Sequence, residues 1–145
     1  IFKIRRRQMT TQEQYYELSF YSLAHRDKNF VHQHIVDAYT AQVADRDTKP
    51  IAVFFSLAGL YLFLGKKYTG RQVQDAHLRM AKKTKEYPEI ILPETRGAIT
   101  VQDVLDTPAG TERDDMIRKW CASVWEAFSS QHEKIISLTE ALLAV

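Results

Sequence analysis

Cysteine is nearly absent from this sequence: of 145 residues, only Cys121 carries a thiol. A lone cysteine forms no disulfide within its chain and cannot supply a cysteine-based zinc cluster. Long hydrophobic runs are missing too. The main apolar run, residues 51–64, is too short for a bilayer span, which needs about 20 apolar residues. No signal-peptide pattern, internal repeat, low-complexity tract or convincing strand is visible, so the expectation is a soluble cytoplasmic protein with no membrane partner. A Gly-rich phosphate loop, a nucleophile elbow and a metalloprotease histidine pair are also lacking. No residue is therefore assigned a catalytic role.

What remains is a chain of one-domain length, long enough to bury a real core. Its net charge of +2 misleads. Lys3, Arg5, Arg6 and Arg7 precede Met9, and without them the eighteen acidic residues outnumber the basic ones. Residues 1–8 are expected to be a basic arm, non-native or disordered, outside a single helical domain over 9–145. Thr11 is the expected N-cap of the first helix.

The run from Ile51 to Leu64 carries no charge on any side. A helix apolar all round must be buried all round. The run is therefore expected to be the central helix of an all-α, single-domain bundle of five to six helices. Pro50 suits its first turn. Ala52, Ser56 and Gly59 share one face, where a neighbouring backbone can come close. Gly59 costs about 1 kcal/mol relative to alanine there, and close packing is the simplest compensation.

Periodicity and breakers place the rest. Segment one spans about 11–25 and is rich in aromatics (Tyr15, Tyr16, Phe20, Tyr21). Segment two spans about 29–44, with Val31, Ile35, Ala38 and Gln42 in one stripe. Segment four runs from Thr69 to about Tyr87, with Val73, Ala76, His77, Met80 and Thr84 inward. Thr100 and Asp103 mark a short helix over 101–106. Segment five starts near Thr111, and Ile117, Trp120, Cys121, Val124 and Phe128 form its core stripe. Ser130 and Glu133 resemble a capping box that restarts a last helix through Leu143.

Three places could carry chemistry. On segment two, His32 and His34 diverge by about 200° around a helix, so they cannot easily share one metal. His34 and Asp37 do share a flank, and so do His32 and Tyr39. A metal would need a third ligand from another segment, and His77 is the obvious donor. Zinc or iron would suit imidazole plus carboxylate. The plainer reading is a hydrogen-bonded His34–Asp37 pair at the rim of the core, with His32 packed beside Tyr39. His77 is either a satisfied core histidine or a pocket-facing one, and Asp37, Tyr39 or Gln42 could be its partner. Third, Lys66, Lys67, Arg71, Arg79, Lys82, Lys83 and Lys85 make the stretch 66–86 basic. Thr69-Gly70-Arg71 at its helix start could hold an anion. The stretch 94–115 is acidic in turn, so the two can face each other or water. Cys121 sits in a core stripe, where a thiol is usually inert.

Four motifs, in order, carry a resemblance. They are His32-Gln33-His34-Ile35-Val36-Asp37-Ala38-Tyr39-Thr40-Ala41-Gln42, then Gly70-Arg71-Gln72-Val73-Gln74 with His77, then Ala98-Ile99-Thr100-Val101-Gln102-Asp103-Val104-Leu105, and Trp120-Cys121-Ala122-Ser123-Val124-Trp125. They resemble a family of small, all-helical bacterial proteins of unknown function, over nearly all of Tyr15 to Phe128. Longer relatives carry a Cys-x-x-Cys-Gly knuckle that this sequence does not contain, so no metal role carries over from it. The resemblance implies one helical domain and no established activity. It singles out His32, Asp37, Tyr39, Gln42, Arg71 and His77; His34 fits the pattern less well.

Three functions follow as expectations. The leading one is a small molecule or metal held in a polar pocket between residues 30–44 and 70–86. His32, Asp37, Tyr39, Gln42 and His77 would line it, with Arg71 at its mouth. A metal would fall to His34, Asp37 and His77; a divalent ion is the one cofactor considered, and none is required. The second is a non-enzymatic interaction module acting as a homodimer. The third, disfavoured, is nucleic-acid binding through the basic helix 66–86.

Overall fold

Side-chain caps mark the helices that start at Thr11, Gly70 and Val101, whereas those that start at His32, Pro50, Thr111 and His132 begin without one. In the computed structural model, which describes residues 9–24 and 29–144, α1 spans Thr11–Ala24, α2 His32–Val43, α3 Pro50–Lys66 and α4 Gly70–Lys83. The short α5 is Val101–Leu105, α6 is Thr111–Ala127, and a 3-10 turn at Ser129–Gln131 leads into α7, His132–Leu143. Residues 1–8 and the end of segment one at His25 lie outside the described residues. The seven α-helices among the described residues belong to one domain, where five or six are expected. The short α5 and the last helix α7 both stand where the sequence marks them, and counting each beside the five longer segments gives seven.

Thr69 caps α4 with a reciprocal box: its hydroxyl accepts from Gln72 N–H at 3.2 Å, and Gln72 Oε1 accepts from Thr69 N–H at 2.8 Å. Thr100 and Asp103 do the same for α5. Two sequence expectations shift. The cap of α1 is Thr10, whose hydroxyl accepts from Glu13 N–H at 3.1 Å, one residue before the expected Thr11. Ser130 and Glu133 form no capping box. The chain there is a 3-10 turn, and α7 starts without a side-chain cap.

Segment four also ends early. Thr84 is extended, and Tyr87 folds back so that its hydroxyl donates to Met80 O at 3.2 Å. At the other end, Lys67 takes a left-handed conformation (φ 59°), which lets the chain leave α3 with Tyr68 N–H bonded to Leu62 O.

Helix α3 touches α2, α4, α6 and α7. It buries Val53, Phe54, Ser56, Leu57, Ala58, Gly59, Leu60 and Leu62. Its burial is not complete all round: Ile51 is exposed, and Phe55, Tyr61, Phe63 and Leu64 are half-buried. These edges are covered by amphipathic neighbours. Trp120, Phe128 and Ile117 from α6 and its end, with Ile35 and Ala38 from α2, complete the main core.

Two glycines set the spacing of the helices. A Cβ on Gly70 would lie 1.7 Å from Phe30 O, and Gly70 N–H donates to Asn29 O at 2.7 Å. The start of α4 is thereby fastened to the chain entering α2. A Cβ on Gly59 would lie 2.0 Å from Asp37 Oδ2. The close neighbour at the small-residue face of α3 is thus a carboxyl, not the backbone expected.

Candidate functional site

Asp37 is the most unusual side chain on α2. It is buried at 3% exposure on a helix that packs against α1, α3, α4 and α6. Gln33, one turn earlier, donates Nε2–H to Asp37 Oδ1 at 3.1 Å. Oδ2 rests against Gly59 and finds no hydrogen-bond partner among the described residues. Burial pushes its carboxyl well above the usual range, and the Gln33 bond only partly opposes this.

His34 is buried beside it, but the two form no pair at the rim of the core. The His34 ring lies flat on Phe63, centroids 3.6 Å apart and planes 11° apart. Arg118 covers that Phe63 ring at 5.3 Å. The His34 carbonyl accepts from the Cys121 thiol at 3.7 Å. Burial pushes this thiol far up, the state of an inert structural cysteine.

His32 turns towards α1. Its Nδ1 lies 3.1 Å from Ser22 Oγ, whose single proton goes to Ser19 O at 2.9 Å, so Nδ1 is the donor. Tyr39 does not pack beside His32. It stacks on Tyr15 of α1, with centroids 4.0 Å and planes 11° apart.

Gln42 is fully engaged by the fold. Its Oε1 accepts from Trp120 Nε1–H at 3.0 Å, and its Nε2 donates to Ile99 O at 2.7 Å. Arg96 donates from Nη1 to Ala41 O at 3.0 Å and from Nε to Pro93 O at 2.7 Å. Together they cap the end of α2, pin the loop before α5 and tie both to α6.

His77 does not meet Asp37, Tyr39 or Gln42. Its Nε2 is 2.8 Å from Phe55 O, an acceptor only, so Nε2 carries the proton. The ring stacks on the Phe55 side chain at 4.9 Å. Burial lowers its pKa, and the Phe55 bond works against that shift. Arg71 is exposed, lies 5.4 Å from the Phe30 ring centroid, and lines an open depression with Tyr68, Gln72, Asp75 and Arg79. Two of the N–H groups at the start of α4 are already used: Gly70 N–H by Asn29 O and Gln72 N–H by the Thr69 hydroxyl.

The expected residues therefore do not converge. Among the described residues, no group of three or more His, Cys, Asp or Glu side chains could hold a metal ion, so His34, Asp37 and His77 do not make such a site. Three histidines instead serve as flat covers on aromatic rings: His34 on Phe63, His77 on Phe55 and His132 on Trp125. Sequence reasoning missed Gln33, Arg96 and Phe63 as the partners that decide these roles. Only the Gln33–Asp37 pair had a signal, the four-residue spacing of a helix face.

No curated protein and no solved structure matches the chain. A family model described as a family of unknown function (DUF5946) matches residues 8–129, which runs from before α1 through α6 and leaves out α7. The chain belongs to that family.

Proposed function

We propose that this protein is a non-enzymatic interaction module that pairs with a second copy of itself through α1. The observation that carries this reading is a stripe on that helix. Tyr16, Phe20 and Leu23 follow one another at spacings of four and three, and are 59%, 75% and 59% exposed. Helix α1 buries only Leu18 and Ser22. Other large exposed apolar residues, such as Leu78 and Ile91, sit singly on other elements, as is ordinary for a protein surface.

The stripe is symmetric about Phe20. An antiparallel copy of α1, related by a two-fold axis at Phe20, sets Tyr16 of each chain near Leu23 of the other. Aromatic residues of this kind are enriched at interface cores. Size argues for weak pairing. A stable interface buries about 800 Å² on each partner. A helix of this length is only about 21 Å long. Its one face covers a few hundred Å², so dissociation in the micromolar range or weaker is expected.

The pocket reading has less support, because Gln42, His77 and Asp37 direct their polar atoms into the fold. Nucleic-acid binding also has less. Arg79 donates to Leu143 O and Lys83 to Ala144 O, holding the end of α7, and Arg71 lies over Phe30.

Sedimentation velocity over a wide concentration range tests the reading. The wild type should shift towards dimer as concentration rises. Phe20→Asp should remain monomeric with an unchanged helical circular dichroism spectrum. A wild type that stays monomeric at its highest soluble concentration would sink the proposal.

A further inference from the structure

A buried carboxyl with a free oxygen is a poor structural element. It contributes one hydrogen bond and leaves one acceptor without a partner, which costs about 1–3 kcal/mol where nothing compensates. Gly59 makes room for it, since any larger residue there would strike Asp37 Oδ2. Sequence and packing thus retain two costly choices, a glycine inside a helix and a half-satisfied acid, at one contact between α2 and α3.

We propose that Asp37 is a proton-operated switch at the α2–α3 contact. Protonated, it lets α2 lie closed against Gly59; ionised, it drives the two helices apart there, to admit water to Oδ2. The surroundings offer the ionised form little help. From its own helix it has the Gln33 amide, with His34 three residues earlier. From α3 it meets Gly59, whose missing Cβ position Oδ2 crowds, and the Val73 methyl of α4 borders the same Cβ position; neither residue is ionisable. The charge of Asp37 reaches the Tyr15 phenol of α1 and the Cys121 thiol of α6 and pushes both upward, and neither of these groups is a cation that could favour the carboxylate. Arg118 of α6 acts on the same thiol, while its guanidinium lies over Phe63. Burial raises the carboxyl, in keeping with this geometry.

The proton balance fixes the form of the response. Opening releases one proton, because the opened carboxyl returns to its ordinary value. The opening equilibrium at this contact should therefore rise about tenfold per pH unit between the ordinary carboxyl range and the titration midpoint of Asp37 in the closed protein. Outside that window it should be flat. The proposal stands apart from self-association through α1.

Two measurements test it on the full chain. The carbon-13 shift of the Asp37 carboxyl, followed through a pH titration of the wild type, should give a midpoint well above the usual carboxylate range. Amide hydrogen exchange along α3 around Gly59, corrected for the intrinsic effect of pH, should show the tenfold-per-unit rise. The rise should vanish in Asp37→Asn. An ordinary midpoint for Asp37 overturns the proposal, and so does the same exchange profile in wild type and variant. The titration uses the wild type alone, so it decides the question even if Asp37→Asn fails to fold.

Discussion

Two regions of α2 treat a buried polar side chain in opposite ways. At its C-terminal end, Gln42 joins Trp120, Ile99 and the Arg96 loop, and both ends of its amide are bonded. Five residues earlier, Asp37 has one bond from Gln33 and one oxygen with no partner among the described residues. Both residues lie within the range that the family model matches, and both are candidates for a ligand-lining role from sequence. The difference teaches that burial of a polar group says little about its task. Whether its hydrogen-bonding capacity is filled says more. A filled network fixes the fold, whereas an unfilled one marks where the fold carries a cost for another reason.

The largest expected effect comes from the filled network. Gln42→Leu leaves the Trp120 N–H and the Ile99 carbonyl without their partner, and each unpaired buried group costs about 1–3 kcal/mol. Urea unfolding should show a loss of about 2–4 kcal/mol. A loss below about 1 kcal/mol would mean that water replaces the amide, and the contrast with Asp37 would collapse.

Next comes the unfilled site. Gly59→Ala places a methyl against Asp37 Oδ2, and overpacking of this kind costs about 1–3 kcal/mol. The better helix propensity of alanine returns about 1 kcal/mol. A net loss of up to about 2 kcal/mol is expected. In the Asp37→Ala background the same change should cost nothing or stabilise, giving a clear coupling in a double-mutant cycle. Additive effects would show that Gly59 answers to some neighbour other than Asp37.

Much of the scaffold was legible from sequence because local chemistry specifies it. Pro50 and the charge-free run define α3, the stripe from Ile117 to Phe128 is buried as read, and the Thr100–Asp103 box caps α5. Adjacent threonines left the start of α1 ambiguous by one residue. The Ser130–Glu133 pattern misled because Gln131 is used tertiarily there: it turns inward, and its Oε1 accepts from Ile91 N–H at 3.1 Å. The site was harder for the same reason. Which aromatic ring a histidine covers, and which carbonyl its N–H finds, depends on how α2 and α4 dock on α3. Helix periodicity gives the face of a residue but not the partner across the interface, so His34–Phe63 and His77–Phe55 could not be read in advance.

His77 sharpens the comparison from a third side, with the smallest expected effect. Its imidazole is neither filled like Gln42 nor stranded like Asp37: one N–H bonds Phe55 O and the flat ring covers Phe55. Burial holds its folded pKa below the usual histidine value. The sign follows from linkage. Stability tied to the neutral ring is fully present above the unfolded value of about 6.5 and is lost as pH falls from there through the lower folded value. Asp37 runs the other way. Its raised folded pKa gives stability present below the unfolded value of about 3.9 and lost as pH rises through the folded one. His77→Phe keeps a flat ring against Phe55 and removes the titrating group, at a cost of about 1 kcal/mol for the missing hydrogen bond. Between pH 8 and pH 5, the urea midpoint of the wild type should drop relative to that of His77→Phe as the pH falls. Parallel profiles would transfer the acid sensitivity in that range to other groups and leave His77 a pure packing residue.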